Sequence, residues 1–102
     1  MRMIVFFDLP VKEKSERREA TKFRNFLLKD GYHMVQFSVY TRVCNGYDSV
    51  STHEKRLKSN LPANGSVRLL TVTEKQYASM KILLGKHVQA DTSVAYEQLT
   101  LL

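Results

Sequence analysis

With 102 residues and 43% hydrophobic composition, the chain is long enough for one hydrophobic core and too short for a second. Sixteen Lys and Arg against ten Asp and Glu leave a formal charge of +6 and a pI near 9.6, which suits either a polyanionic partner such as nucleic acid or an ordinary solubility charge. One cysteine, Cys44, excludes an intrachain disulfide, and the N-terminal apolar run is too short for a membrane span and lacks a cleavage site, so a complete cytoplasmic protein is expected.

Met3 to Phe7 is an unbroken apolar run, the mark of a central strand covered on both faces, and Pro10 stops it. Ser15 is the candidate N-cap of a first helix, with Glu16 and Glu19 in its opening turn. That helix runs to about Asp30 and ends at Gly31, a natural C′ residue. From His33 to Val43 the pattern alternates: Val35, Phe37, Val39, Thr41 and Val43 share one face, and Gln36, Ser38, Tyr40 and Arg42 the other. The run is long for one straight strand, so a bend or bulge near Gln36 to Ser38 is expected, one that can split it in two.

Asn45-Gly46 marks a turn, and Ser51-x-x-Glu54 resembles a capping box opening a second helix that ends near Asn60, before Pro62. A strand from Ser66 to Thr73 follows Gly65, then a short helical or extended element through Glu74 to Leu84, closed by Gly85. Glu97 to Leu102 reads as a terminal strand with no obvious partner in the chain. Its Gln98, Leu99, Thr100, Leu101 and Leu102 are the candidate partner-binding residues, adding to another chain's sheet. The element order predicts an α+β fold, a ferredoxin-like βαββαβ sandwich over residues 1–86 with a tail, 87–102, that carries the extra C-terminal strand. Such a sheet leaves one face open. An apolar open face predicts a homodimer.

The first helix carries the strongest functional pattern. At 3.6 residues per turn, Lys14, Arg18, Lys22, Asn25 and Lys29 fall in one narrow stripe, opposite Ala20, Phe23, Phe26 and Leu27. A single-sign stripe behind a packed apolar face can lie along a phosphate backbone, whereas a merely solvated face usually mixes signs. Arg17 and Arg24 flank the stripe, and Arg42 and Arg56 are further basic candidates with an ordinary surface role as the alternative. No recognition-helix, zinc-finger or ribonucleoprotein signature is present, so readout of base sequence is not expected.

Asp8 ends the first strand on the face of Ile4 and Phe6, just before Leu9-Pro10. A carboxylate there is a candidate Mg²⁺ ligand for activating water against a phosphodiester. The competing reading is a loop cap that accepts hydrogen bonds from backbone N–H groups. His33, His53 and His87 lack metal spacing, and Cys44 has no companion thiol.

Four stretches in order carry a resemblance: Ile4 to Pro10, Phe23 to Tyr32, Gln36 to Tyr40 and Leu70 to Ala78. Together they resemble the CRISPR-associated Cas-two (Cas2) family, in the variety that accompanies compact RNA-guided nuclease systems. The resemblance implies a ferredoxin-like homodimer at the centre of the spacer-acquisition complex, bridging dimers of the Cas-one integrase and holding double-stranded DNA, the spacer precursor. It also implies a metal-dependent endonuclease acting on RNA or DNA, with Asp8 as its Mg²⁺ ligand and catalytic residue. A ferredoxin-fold RNA-binding regulator is the remaining alternative; it needs exposed aromatics on the sheet, so burial of Phe6, Phe7 and Tyr40 counts against it.

Overall fold

The computed structural model describes residues 1–85. The tail assigned to partner binding, including Gln98 to Leu102, lies outside the described residues. Seven elements follow one another: β1 (Arg2–Asp8), α1 (Lys14–Lys29), β2 (His33–Gln36), β3 (Val39–Val43), α2 (Tyr47–Lys58), β4 (Ser66–Val72) and α3 (Glu74–Ala78). The four strands form one antiparallel sheet in the order β2-β3-β1-β4, an arrangement compatible with the ferredoxin-like sandwich that the sequence predicts.

β1 is the central strand because its apolar run can be buried on both sides. Met3, Val5 and Phe7 point into a core shared with Phe23 and Leu27 of α1 and Val50 and Leu57 of α2. Phe7 meets Phe23 edge-on, with ring centroids 5.2 Å apart, a favoured aromatic geometry. Arg2, Ile4, Phe6 and Asp8 alternate onto the opposite face.

The helix starts differ from expectation. α1 begins at Lys14 with Glu13 as its N-cap, not Ser15, and the Glu13 N–H donates to Glu16 Oε1 at 2.8 Å. A glutamate three residues on satisfies a donor of the first turn, so the reciprocal cap settles two residues earlier. α2 begins at Tyr47, not after Ser51, because the Val50 N–H closes a first turn on the Gly46 carbonyl at 3.1 Å. The earlier start puts Val50, His53 and Leu57 on one buried stripe at helical spacing.

α1 ends as predicted. Gly31 takes φ +94°, while Tyr32 N–H bonds Leu27 O at 2.9 Å and Gly31 N–H bonds Leu28 O at 3.2 Å, the paired bonds of a Schellman motif.

The predicted break between Gln36 and Ser38 is a two-residue turn, Phe37-Ser38, with Ser38 at φ +63° and a register shift between Met34 and Gln36. The faces of β3 are the reverse of the predicted ones. Register with β1 sets Tyr40 beside Val5 and Arg42 beside Met3, so both face the helices, and Val39, Thr41 and Val43 face the other way. Tyr40 wins the core position because its ring packs on Phe7, centroids 5.6 Å apart.

The second face of the sheet is not wholly open. α3 folds over one end of it, capped by Thr73, whose Oγ1 accepts from the Gln76 N–H at 3.0 Å. Arg2 joins the two layers: its guanidinium lies 4.1 Å over the Tyr77 ring and its Nε donates to Glu74 at 2.9 Å. Tyr77, Ile4 and Thr41 are buried, whereas Phe6 and Asp8 at the other end of β1 are exposed.

Candidate nucleic-acid interface and the Asp8 cleft

Burial of Ala20, Phe23 and Leu27 fixes the rotation of α1 and turns the basic stripe outward. Lys14, Arg17, Arg18, Lys22, Asn25 and Lys29 all line one shallow groove of ≈ 650 Å³, together with Phe26 and with Asn60 beyond the end of α2. Among the described residues, Lys14, Arg18, Lys22 and Lys29 enter no ion pair. Unpaired cations in a groove keep their charge for an external anion. Arg17 is partly committed, since its Nη1 donates to the carbonyls of Val11 and Lys12 at 3.1 and 2.7 Å. Those bonds hold the loop that leads into α1.

Arg42 stands apart from this groove. Its guanidinium lies between the layers, with Nη1 donating to the Asp30 carbonyl and 3.2 Å from His53 Nδ1. Arg56 is bound to the same junction, its Nη1 donating to Asp30 Oδ1 at 2.9 Å. His53 is buried, with Nδ1 2.8 Å from Asp30 Oδ2. Asp30 thus ties the end of α1 to α2 and β3. Tyr32 is buried beside this junction, and loss of solvent, reinforced by the Asp30 charge, pushes its hydroxyl pKa well above the usual tyrosine range. The junction was not legible in the sequence, because its members come from α1, β3 and α2 with no motif spacing.

Asp8 lies in a second cleft of ≈ 440 Å³ at the uncovered end of the sheet, lined also by Phe6, Ser38, Val39, Ser66 and Arg68. The loop-capping reading of Asp8 is overturned: among the described residues its carboxylate is exposed and accepts no hydrogen bond. Among the described residues no group of three His, Cys, Asp or Glu side chains could hold a metal ion. A lone exposed carboxylate fits a Mg²⁺ that keeps most of its water and takes other ligands from a phosphate, not a resident ion in a protein cage. When bound, such an ion supplies charge neutralisation and an activated water.

Arg68 was missed as a candidate. Its only sequence signal is its place between Val67 and Leu69, which strand alternation sets on the face of Asp8. Of the three aromatics that decide the stacking-platform alternative, Phe7 and Tyr40 are buried and Phe6 alone is 38% exposed, which counts against it. Among the described residues no helix is long and apolar enough to cross a membrane.

Comparison with known proteins adds an independent finding. Residues 1–80 match the family model described as CRISPR associated protein Cas2. A protein named CRISPR-associated endoribonuclease Cas2 from Acidovorax ebreus (strain TPSY) is 57% identical over 101 residues, 99% of both chains. One of the same name from Ligilactobacillus salivarius (strain UCC118) is 48% identical over 89 residues, 87% of this chain and 88% of the relative. Another, from Campylobacter jejuni (serotype O:2), is 49% identical over 85 residues, 83% of this chain and 59% of the relative.

Proposed function

Because the chain belongs to the CRISPR-associated protein Cas2 family, we propose that it works in CRISPR adaptation as a dimeric scaffold. In this reading it holds duplex DNA by the backbone along the α1 groove and bridges dimers of the Cas-one integrase during spacer acquisition. The observation that carries it is the convergence of five basic α1 side chains on one groove, with the charges of Lys14, Arg18, Lys22 and Lys29 unspent on protein partners. Contacts of that kind are made to phosphates and carry no sequence information. Affinity for a duplex is therefore expected to fall with salt and to be indifferent to base sequence. Each lost phosphate contact should flatten the slope of log K against log salt by about 0.9. Fluorescence anisotropy of a labelled duplex at several salt concentrations, for Lys14→Ala, Arg18→Ala and Lys22→Ala, tests this. Unchanged slopes would move the DNA surface off α1.

A second reading rests on a different observation. The relatives are named endoribonucleases, and here the strand-terminal Asp8 is exposed and accepts no hydrogen bond among the described residues. That combination supports a Mg²⁺-dependent endonuclease acting on RNA or DNA phosphodiesters at the Asp8 cleft. The two readings use separate surfaces, so one chain can carry both.

A further inference from the structure

On a different flank of α1 from the basic groove, the helix and two loops enclose a small pocket of ≈ 220 Å³. Its floor is apolar: Leu9 and Pro10 from the loop after β1, Ala20 of α1, and Pro62 and Ala63 from the segment between α2 and β4. Glu16 and Glu19 stand on its wall. The prolines on either side fix the backbone, so the pocket is formed before anything enters it. It shares no lining residue with the α1 groove or with the Asp8 cleft. Because α1 packs on the helix side of the sheet, a second copy applied to the opposite face or to the β4 edge leaves this pocket open.

The charge on the wall runs against the rest of the molecule, which carries +6 overall. Glu16 and Glu19 are three residues apart on one helix, a spacing at which like charges repel. Among the described residues neither carboxylate enters an ion pair. Glu16 Oε1 accepts the Glu13 N–H of the cap, a bond that leaves its charge in place. Lys14, Arg18, Lys22 and Lys29 of the same helix line the other groove, so α1 keeps the two signs on separate flanks. Two carboxylates repel a phosphate backbone, which rules out nucleic acid as the occupant. An apolar floor with an anionic wall matches a long basic side chain, its methylene stem on the floor and its cationic head at the carboxylates. Past Glu19 and Pro62 a narrower recess of ≈ 110 Å³ continues to Leu61, which is 49% exposed. The residues beside that basic side chain would therefore meet apolar surface too.

We propose that this pocket docks one arginine or lysine side chain of a protein partner. That the partner is the integrase rests on the scaffold reading; the chemistry of the pocket does not. The full chain, ¹⁵N-labelled, is titrated with the tripeptide acetyl-Ala-Arg-Ala-amide while backbone amides are followed by NMR. The titration is repeated with citrulline in place of arginine, which keeps the shape and removes the charge. Amides of residues 16–20, 63 and 64 are expected to shift with the arginine peptide and to stay still with the citrulline one. Glu19→Gln should weaken the arginine peptide about tenfold, the size of one charge-assisted contact. Glu19 is exposed and takes no part in the helix cap, so the variant is expected to melt with the wild type. In parallel, calorimetry with purified integrase is expected to show affinity lowered about tenfold in Glu19→Lys, with duplex affinity no lower than that of the wild type.

If the citrulline peptide moves the same amides, or neither peptide moves them, the proposal is overturned. If those amides respond to dilution of the chain alone, a second copy fills the pocket and the proposal is wrong. If the integrase binds the wild type and Glu19→Lys alike, the proposal is overturned and the scaffold reading stands. If the arginine peptide binds as expected and the integrase does not bind the wild type, the scaffold reading falls and the docking site stands.

Discussion

The side chain of Asp8 separates the two functions proposed for this chain. Asp8→Asn keeps the shape of the residue and removes the charge that a cation needs. Cleavage, measured on labelled RNA and DNA, is expected to fall by orders of magnitude. In the proposed reading duplex binding rests on the α1 groove, on the far side of the core, so spacer integration with purified integrase is expected to stay near the wild-type level. Loss of integration by a folded, DNA-binding variant would give Asp8 a direct part in adaptation. Tyr32 makes a second, independent prediction. The folded protein holds its hydroxyl proton more tightly than the unfolded chain, whose tyrosine titrates near the ordinary value of 10.0. The stabilisation is whole below that value, and it is lost as pH rises above it, because there the unfolded state gives up a proton that the folded state keeps. Urea denaturation across that range should show stability falling as the solution becomes more alkaline. Tyr32→Phe should flatten the fall.

Helix ends and strand faces show what the sequence can and cannot disclose. Gly31 was legible because a left-handed C′ position selects glycine by steric necessity, whatever lies around it. Gly31→Ala is expected to destabilise the fold by about 1–2 kcal/mol, read from urea midpoints. The new Cβ would be held at φ +94° and sit 2.8 Å from Arg42 Nη1, which would have to leave its place beside Asp30. The basic stripe of α1 was legible for a similar reason: helical periodicity alone places Lys14, Arg18, Lys22 and Lys29 together. β3 was misread. Val-Tyr-Thr-Arg-Val alternates equally well either way up, and only pairing with β1 decides that Tyr40 and Arg42 face the helices. Ser51-x-x-Glu54 misled in the same fashion, since a cap motif inside a helix looks like one at its start; Gly46 and the buried Val50 settled the matter. The Asp8 face was foreseen and the presence of Arg68 on it was not, because Arg68 comes from a strand 60 residues further on.

For the molecule as a whole, α3 changes the expected mode of self-association. The open face was to be covered by a second copy, but Tyr77 and Arg2 close one end of it within the chain. What stays exposed there is Phe6, with Leu70 on the edge strand and Val43 on β3. A homodimer is still expected, with the partner applied to Leu70 and the β4 edge, which no other strand of the described residues covers. Sedimentation equilibrium on the full chain at micromolar concentration should give twice the monomer mass. Leu70→Lys should shift the population toward monomer without unfolding it. A monomer in the unmutated chain would remove the dimeric part of the proposed scaffold.

The central position of β1 has a consequence for how the protein is made. Its neighbours are β3 and β4, so among the described residues the earliest strand of the sheet is completed by the latest. At translation rates of 5–20 residues per second, roughly 3–13 seconds separate the appearance of Asp8 from that of Val72. Through that interval the run from Met3 to Phe7 has nothing to pair with on one side, and β4 has yet to leave the ribosome. Sheets closed by such distant pairings are slow to form and prone to mispairing while they wait. The nascent chain therefore depends on α1 to shelter the strand early, since Phe23 and Leu27 are the first core partners that it meets.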